Sequence, residues 1–249
     1  MQGIYLPGND PMYADIGRAA AQAEQQHGLR VLFGGALSGY AMGLNGTESD
    51  CDVYFFCHAL PKTAPRKVMF GRVDAILHTL TLQPLASDDN DAVMMALLSR
   101  HVWDPAGFVA ANWQALSAFL QVKDVLHYHW VRAKGNWDHF LRQPRVLARK
   151  YLYTLHELFV LMWVLGEGSA PPIHFWTLAD RFVKSLAVKE EIMRVYGINQ
   201  KAKSKADTEM DRSDGLNAYV EGAIAQLEDA VATHHADAAA LVFGPVETE

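Results

Sequence analysis

Cysteine is scarce in this sequence, with two residues in 249, Cys51 and Cys57, set six positions apart among apolar and aromatic neighbours. Two such residues match neither a zinc pattern nor a disulfide framework, and a reducing cytoplasm is the expected compartment. Long apolar runs are missing as well. The longest, Leu158 to Leu165, falls well short of the roughly 18 residues a membrane span requires, so no membrane association is expected. Basic charge is in deficit, with 22 Lys and Arg against 28 Asp and Glu and a formal net charge of −6. Nucleic-acid contact would therefore need a local basic patch, because the average surface is not basic. The first ten residues contain Pro7 and Gly8 and lack the basic start and apolar core of a secretory signal, which agrees with a cytoplasmic expectation.

What is present is an ordinary globular composition, half apolar and one fifth charged, in a chain long enough for one large domain or two small ones. An Ala/Gln/Glu-rich stretch from Ile16 to His27 reads as a helix that Gly28 stops. Leu29 to Phe33 reads as a buried strand, followed by the small-residue run Gly34 to Gly43, whose glycine density suggests close backbone approach. The strand read from Asp50 to Cys57 and that from Arg72 to Leu80, separated by a loop, suggest a hairpin. Beyond Pro84 the character is helical. Ser87 with Asp88, Asp89 and Asp91 predicts an N-cap, Asp104-Pro105 a helix start reaching about Gln121, and Pro144 a long helix from Arg145 to Leu165. Asn199 to Asp214 reads as a mobile loop, and a last helix runs from about Gly215 to His235. The expected class is α+β: a mixed β-sheet core with flanking helices over residues 1–84, then a helical domain over residues 85–249.

The most informative stretch is Gly43 to Val53. Period-two alternation puts Cys51, Val53, Phe55 and Cys57 on one side of a strand and Asp50, Asp52, Tyr54 and Phe56 on the other. Two carboxylates thus share a face at a spacing suited to divalent cations, and Mg²⁺ is commonly held by one or two carboxylates together with substrate phosphates. A third carboxylate on the neighbouring strand would complete a two-metal site, and Asp74 is the candidate. Upstream, Ser38 and Gly39 at a helix start would face the phosphates. A bare Asp-x-Asp also fits the exposed side of an edge strand, but here it is set among Val53, Tyr54, Phe55 and Phe56, and two close carboxylates repel unless a cation lies between them.

This segment resembles the signature of polymerase-β-type nucleotidyltransferases. More narrowly, Met42-Gly43-Leu44 followed by Ser49-Asp50-Cys51-Asp52-Val53 resembles a predicted-nucleotidyltransferase family that includes an RNA-repair-associated branch. A second similarity lies about 100 residues downstream, where Arg149-Lys150-Tyr151-Leu152-Tyr153-Thr154-Leu155-His156 precedes Pro171-Pro172. The resemblance implies a nucleotidyltransferase core and a Mg²⁺- or Mn²⁺-dependent transfer of a nucleoside monophosphate from an NTP to a hydroxyl acceptor, an RNA end being one candidate. It implies that Asp50, Asp52 and Asp74 are catalytic and metal-ligating, and that Ser38, Gly39, Arg149, Lys150 and Tyr153 bind the nucleotide. The sequence departs from the family at two points: its Gly-Ser pair appears reversed as Ser38-Gly39, and its downstream Arg is His156. Transfer to a protein or a small molecule, and a non-catalytic nucleotide- or RNA-binding module, are the alternatives.

Helical spacing from Pro144 onward aligns Arg145, Arg149 and His156 as a cationic stripe with Lys150 and Arg142 beside it. Leu155, Leu158, Phe159, Met162 and Leu165 form the opposing apolar face. Such a stripe suits phosphate oxygens. Lys62, Arg66 and Lys67 read as solvated loop charge, with phosphate contact as the alternative. His127 and His129, at i and i+2 on a helix, point apart and read as surface or packing histidines, and the six tryptophans are spaced for packing.

Overall fold

The computed structural model describes residues 11–46, 50–61, 64, 66–80, 89–99, 102–202, 204, 206–234 and 241–242. The architecture is mixed α+β, and the chain divides into two compact units. The first comprises Met1–Met42, Ser49–Leu120 and Phe243–Glu249; the second comprises Gly43–Glu48 and Gln121–Val242. The expected N-cap residues Ser87 and Asp88, and Lys62, lie outside the described residues.

In the first unit, α1 (Pro11–His27) leads into β1 (Val31–Ala36), the single turn α2 (Ser38–Ala41), β2 (Cys51–Cys57), β3 (Lys67–Phe70) and β4 (Val73–Thr79). After these come α3 (Asp89–Leu98), β5 (Val102–Trp103), α4 (Phe108–Ala111), α5 (Trp113–Leu116) and a 3₁₀ turn at Ser117–Phe119. Gly28, at φ +62°, ends α1 where the sequence predicts, its N–H donating to the Glu24 carbonyl. The helix predicted from Asp104 to Gln121 is instead broken into short pieces. Asp104 still caps, accepting from the N–H groups of Phe108 and Val109 at 2.7 and 2.8 Å, but the first turn opens at Phe108.

The strands form one sheet in the order β3-β4-β2-β1-β5. The expected hairpin between the second and fourth strands does not form, because these two strands run parallel. The hairpin lies between β3 and β4, where Phe70 pairs with Val73 across the two residues Gly71 and Arg72, and Gly71 takes φ +61°. A two-residue connection with glycine in that conformation matches strand twist and commits its flanking strands to each other. β4 is thereby left to add to β2 in the parallel sense.

The alternation read from the sequence holds on the core face. Cys51, Val53, Phe55 and Cys57 are all buried beside Val73, Ala75 and Leu77, beneath Ile16, Ala19, Ala20 and Ala23 of α1. Both cysteines are free thiols. Phe56 departs from the alternation, since it is buried on the other face against Phe33, with ring centroids 4.6 Å apart. The glycine-rich run is explained by packing. A Cβ on Gly35 would stand 2.5 Å from the Ala96 Cβ of α3, and one on Gly34 would stand 2.7 Å from the Phe55 ring. The close approach expected at these glycines is therefore made by the protein's own side chains and helix backbone.

The second unit contains α6 (Val122–Asn136), a π-helical turn at Trp137–Leu141, β6 (Arg145–Leu147), α7 (Ala148–Glu167), α8 (Phe175–Phe182), α9 (Leu186–Lys201), β7 (Glu209–Asp211) and α10 (Asp214–His234). Two sequence expectations change here. The long helix starts at Ala148, since Arg145–Leu147 form a strand antiparallel to β7, and the predicted 199–214 loop contains the end of α9 and all of β7. Nor is α7 apolar on one face only. Tyr151, Leu152, Leu155, His156, Glu157, Leu158, Phe159, Val160 and Leu161 are all fully buried among α6, α8, α9 and α10. Large apolar side chains buried in this way contribute about 1.5–3 kcal/mol each.

The polar residues inside this core are paired through one side-chain atom or more, while His129 Nε2 and His156 Nδ1 are buried without a partner among the described residues. Glu157 binds His129 Nδ1 and accepts from Arg132 Nε at 2.8 Å. Burial alone would raise the Glu157 carboxyl, but the charges of His129 and Arg132 outweigh it and hold the group at about 2. His129 is thus the packing histidine that the helix spacing suggests. The His156 Nε2–H donates to the Ile173 carbonyl at 2.9 Å, and burial lowers its imidazole to about 4.

A folded-state His156 at about 4 against an ordinary 6.5 means that unfolding takes up a proton between those values. Its share of stability is complete above pH 6.5 and lost as the pH falls toward 4, about 3 kcal/mol across the window and about 2 kcal/mol by pH 5. The melting temperature is expected to drop between pH 7 and pH 5. His156→Gln, which retains a donor toward Ile173 without titrating, should flatten that dependence.

Candidate functional site: a carboxylate pair on parallel strands

Asp52 and Asp74 are the second residues of β2 and β4 and direct partners in the parallel register. Paired parallel strands lie about 4.8 Å apart, so the two side chains leave the same end of the sheet side by side, on the face opposite Cys51. An antiparallel hairpin closing Cys57 onto Val73 would have set Asp52 against His78, so the parallel sense is what joins the two carboxylates. β2 is also a central strand, which removes the edge-strand reading of Asp-x-Asp. Asp50 precedes β2 and is exposed; its charge acts on Asp52, but it stands outside the register pair.

The pair is half-buried and electrostatically loaded. Burial raises the Asp52 carboxyl above its ordinary value and the Asp74 charge adds to this, while a hydrogen bond from the Ser38 side chain and the charge of Lys67 oppose it. Lys67 Nζ lies 2.7 Å from Asp74 Oδ2. The other oxygen, Asp74 Oδ1, is buried and has no hydrogen-bond partner among the described residues. An orphaned carboxylate oxygen beside a second carboxylate is a donor set that fits a hard divalent cation. Among the described residues, no group of three or more His, Cys, Asp or Glu side chains is assembled that could hold a metal. Asp52 and Asp74 would thus supply a partial shell, as is usual where waters and substrate phosphates complete Mg²⁺ coordination.

Ser38 has φ +53°, a left-handed conformation that costs a non-glycine residue about 1 kcal/mol or more. The tie between the two segments is double: the Leu37 N–H donates to the Asp52 carbonyl at 2.8 Å while the Ser38 side chain hydrogen-bonds the Asp52 carboxylate. The serine expected to face phosphate therefore engages a carboxylate, and Gly39 beside it is buried in α2. Lys67, read from the sequence as loop charge, is the missed residue of this site. The signal was the alternation Lys67-Val68-Met69-Phe70 before Gly71, which marks a short strand with Val68 inward.

The remaining expected residues belong to the second unit. Arg149 is half-buried near the start of α7, and its guanidinium makes no hydrogen bond or ion pair among the described residues. Lys150 Nζ donates to Asn136 Oδ1 at 2.9 Å and lies 4.0 Å from the centroid of Phe140, and Tyr153 is half-buried one turn on. The stripe of Arg145, Arg149 and His156 does not form. Arg145 is on β6, paired with Glu209 and Asp211, and His156 is in the core. A cavity of about 700 Å³ in this unit is lined by Arg145, Arg194 and Arg212, whose charges are balanced by Asp211, Glu191 and Asp214.

A mixed sheet presenting two adjacent aspartates on parallel strands, followed by a helical region, is the arrangement that the resemblance to polymerase-β-type nucleotidyltransferases implies. The family model described as the RNA repair pathway DNA polymerase beta family matches residues 12–241, and the chain belongs to that family. No curated protein matches the chain. Among the described residues, no helix is long and apolar enough to cross a membrane.

Ser38 offers a test that separates strain from chemistry. Ser38→Gly relieves the positive φ but removes the hydroxyl, so its melting temperature should be unchanged or higher while nucleotidyl transfer falls about tenfold or more, the scale of a hydrogen bond to a charged group. Ser38→Ala keeps the strain and loses the same bond, so it should melt below Ser38→Gly while its rate falls by about the same factor.

Proposed function

We propose that this protein transfers a nucleoside monophosphate from an NTP to a hydroxyl acceptor, an RNA end, in a reaction that uses Mg²⁺ or Mn²⁺ and releases pyrophosphate. The observation carrying the reading is the Asp52–Asp74 register pair with its buried, unpartnered Asp74 Oδ1. The family's description, with its RNA repair pathway, supports RNA as the acceptor. The absence of a membrane-crossing helix among the described residues and the two free thiols agree with a cytoplasmic setting.

Divalent cations held by Asp52 and Asp74, with Asp50 contributing from its exposed position, would neutralise charge on the triphosphate and align the acceptor oxygen. Asp74 accepts the proton of the attacking hydroxyl. The acceptor oxygen bonds to the α-phosphorus as the bond from that phosphorus to the oxygen bridging the β-phosphate breaks, and pyrophosphate leaves with that electron pair. Ser38 holds the Asp52 carboxylate in place. By the family resemblance, Arg149 and Lys150 of the second unit would offset negative charge on the substrate, and Tyr153 would bind the nucleotide.

Purified protein supplied with labelled NTPs, Mg²⁺ and, in separate reactions, RNA, cell protein or small-molecule mixtures should place the label in the RNA. Asp52→Ala should lower incorporation by at least about a hundredfold, and Arg149→Ala should raise the KM for NTP about tenfold. Label found only in protein or small molecules would reassign the acceptor. Wild-type incorporation by Asp52→Ala would overturn the site.

A further inference from the structure

We infer that Lys67 is the resident counter-cation of the carboxylate pair, and that its ammonium passes to the triphosphate when a divalent cation binds. The inference rests on the reading of Asp52 and Asp74 as metal ligands. Lys67 opens β3, pairs in register with Ile76 two residues beyond Asp74, and reaches back along β4 to bind Asp74 Oδ2 at 2.7 Å. It engages only one oxygen of that carboxylate, while Oδ1 is buried without a partner on the described residues.

The charge arithmetic gives the ion pair its meaning. Asp52 and Asp74 place two negative charges side by side, and a single ammonium offsets only half of that repulsion. A divalent cation offsets all of it, and one held at Asp74 Oδ1 beside Asp52 would stand next to the ammonium on Oδ2 and repel it. Lys67 is suited to give way. Its side chain is 62 % exposed while that of Asp74 is 17 % exposed, and a lysine ammonium is a point charge on a flexible stem, without the bidentate fork that would make an arginine hard to displace. An exposed lysine ion pair contributes little on its own, so leaving it costs little. The NTP that arrives with the cation offers phosphate oxygens to the freed ammonium, which turns a resting counter-ion into a contact with the substrate.

The test measures Mn²⁺ binding to the full chain in the absence of nucleotide, by electron paramagnetic resonance titration, for wild type, Lys67→Met, Lys67→Arg and Asp74→Asn. Lys67→Met should bind Mn²⁺ about threefold or more tighter than wild type, Lys67→Arg no tighter, and Asp74→Asn more weakly. At saturating Mn²⁺, Lys67→Met should also raise the KM for NTP by about threefold or more. Circular dichroism melts confirm that each variant is folded. A lysine that merely protects the sheet edge would leave Mn²⁺ affinity unchanged, and equal or weaker binding by folded Lys67→Met overturns the inference while the metal reading stands. An unchanged KM overturns the transfer of the ammonium to the triphosphate. Failure of folded wild type to bind Mn²⁺ at all overturns the metal reading, and the inference with it.

Discussion

The parallel pairing of β2 with β4 is the constraint on which the rest of the site depends. It aligns Asp52 with Asp74 at one end of the sheet, and two carboxylates at that separation are unfavourable in a folded protein unless something compensates them. The surrounding structure reads as that compensation. Ser38, held at φ +53°, directs its side chain to Asp52, and Lys67 reaches back from the edge strand to Asp74. The compensation stops short at Asp74 Oδ1, which keeps a buried oxygen without a partner. A structure that tolerates repulsion, backbone strain and an orphaned acceptor within one small region stores these costs where a ligand can relieve them.

Much of this arrangement follows from local sequence pattern. Period-two alternation is a property of each strand by itself, so the inward set of Cys51, Val53, Phe55 and Cys57 and the outward Asp52 could be assigned without knowing any partner. Asp74 was found in the same way. What local pattern does not carry is the sense of strand pairing, which depends on contacts far apart in the chain. The short strand Lys67–Phe70 and the turn at Gly71 decide that sense, and with four residues between a loop and a glycine the strand is easily read as loop. Read as loop, it leaves Lys67 among solvated charges. Ser38 shows a different limit, since its hydroxyl was expected to meet a phosphate and the positive φ that aims it at Asp52 has no signature in the letters.

The helical unit teaches the same lesson through burial. Helical spacing from Pro144 aligned three cations, but Pro144 opens a strand, and a helix that begins at Ala148 is packed on nearly every side. His156 could be placed on a cationic stripe only while α7 was assumed to have a free face. In the core, its neutral form donates to the Ile173 carbonyl, and an imidazole lowered to about 4 brings no charge at neutral pH. Arg149 and Lys150 therefore carry what remains of the motif. The acidic total of −6 is compatible with a nucleotide substrate, because part of it lies in the carboxylate set that a divalent cation would neutralise.

The central claim is that Asp52 and Asp74 together bind a divalent cation through the oxygen that now lacks a partner. Crystals grown with Mn²⁺ and a non-hydrolysable NTP, with diffraction collected at the manganese absorption edge, test it most directly. An anomalous peak bridging the Asp52 and Asp74 carboxylates and within bonding distance of Asp74 Oδ1 is the predicted result. Nucleotide bound with no such peak at the pair, or with manganese held elsewhere in the chain, would contradict it.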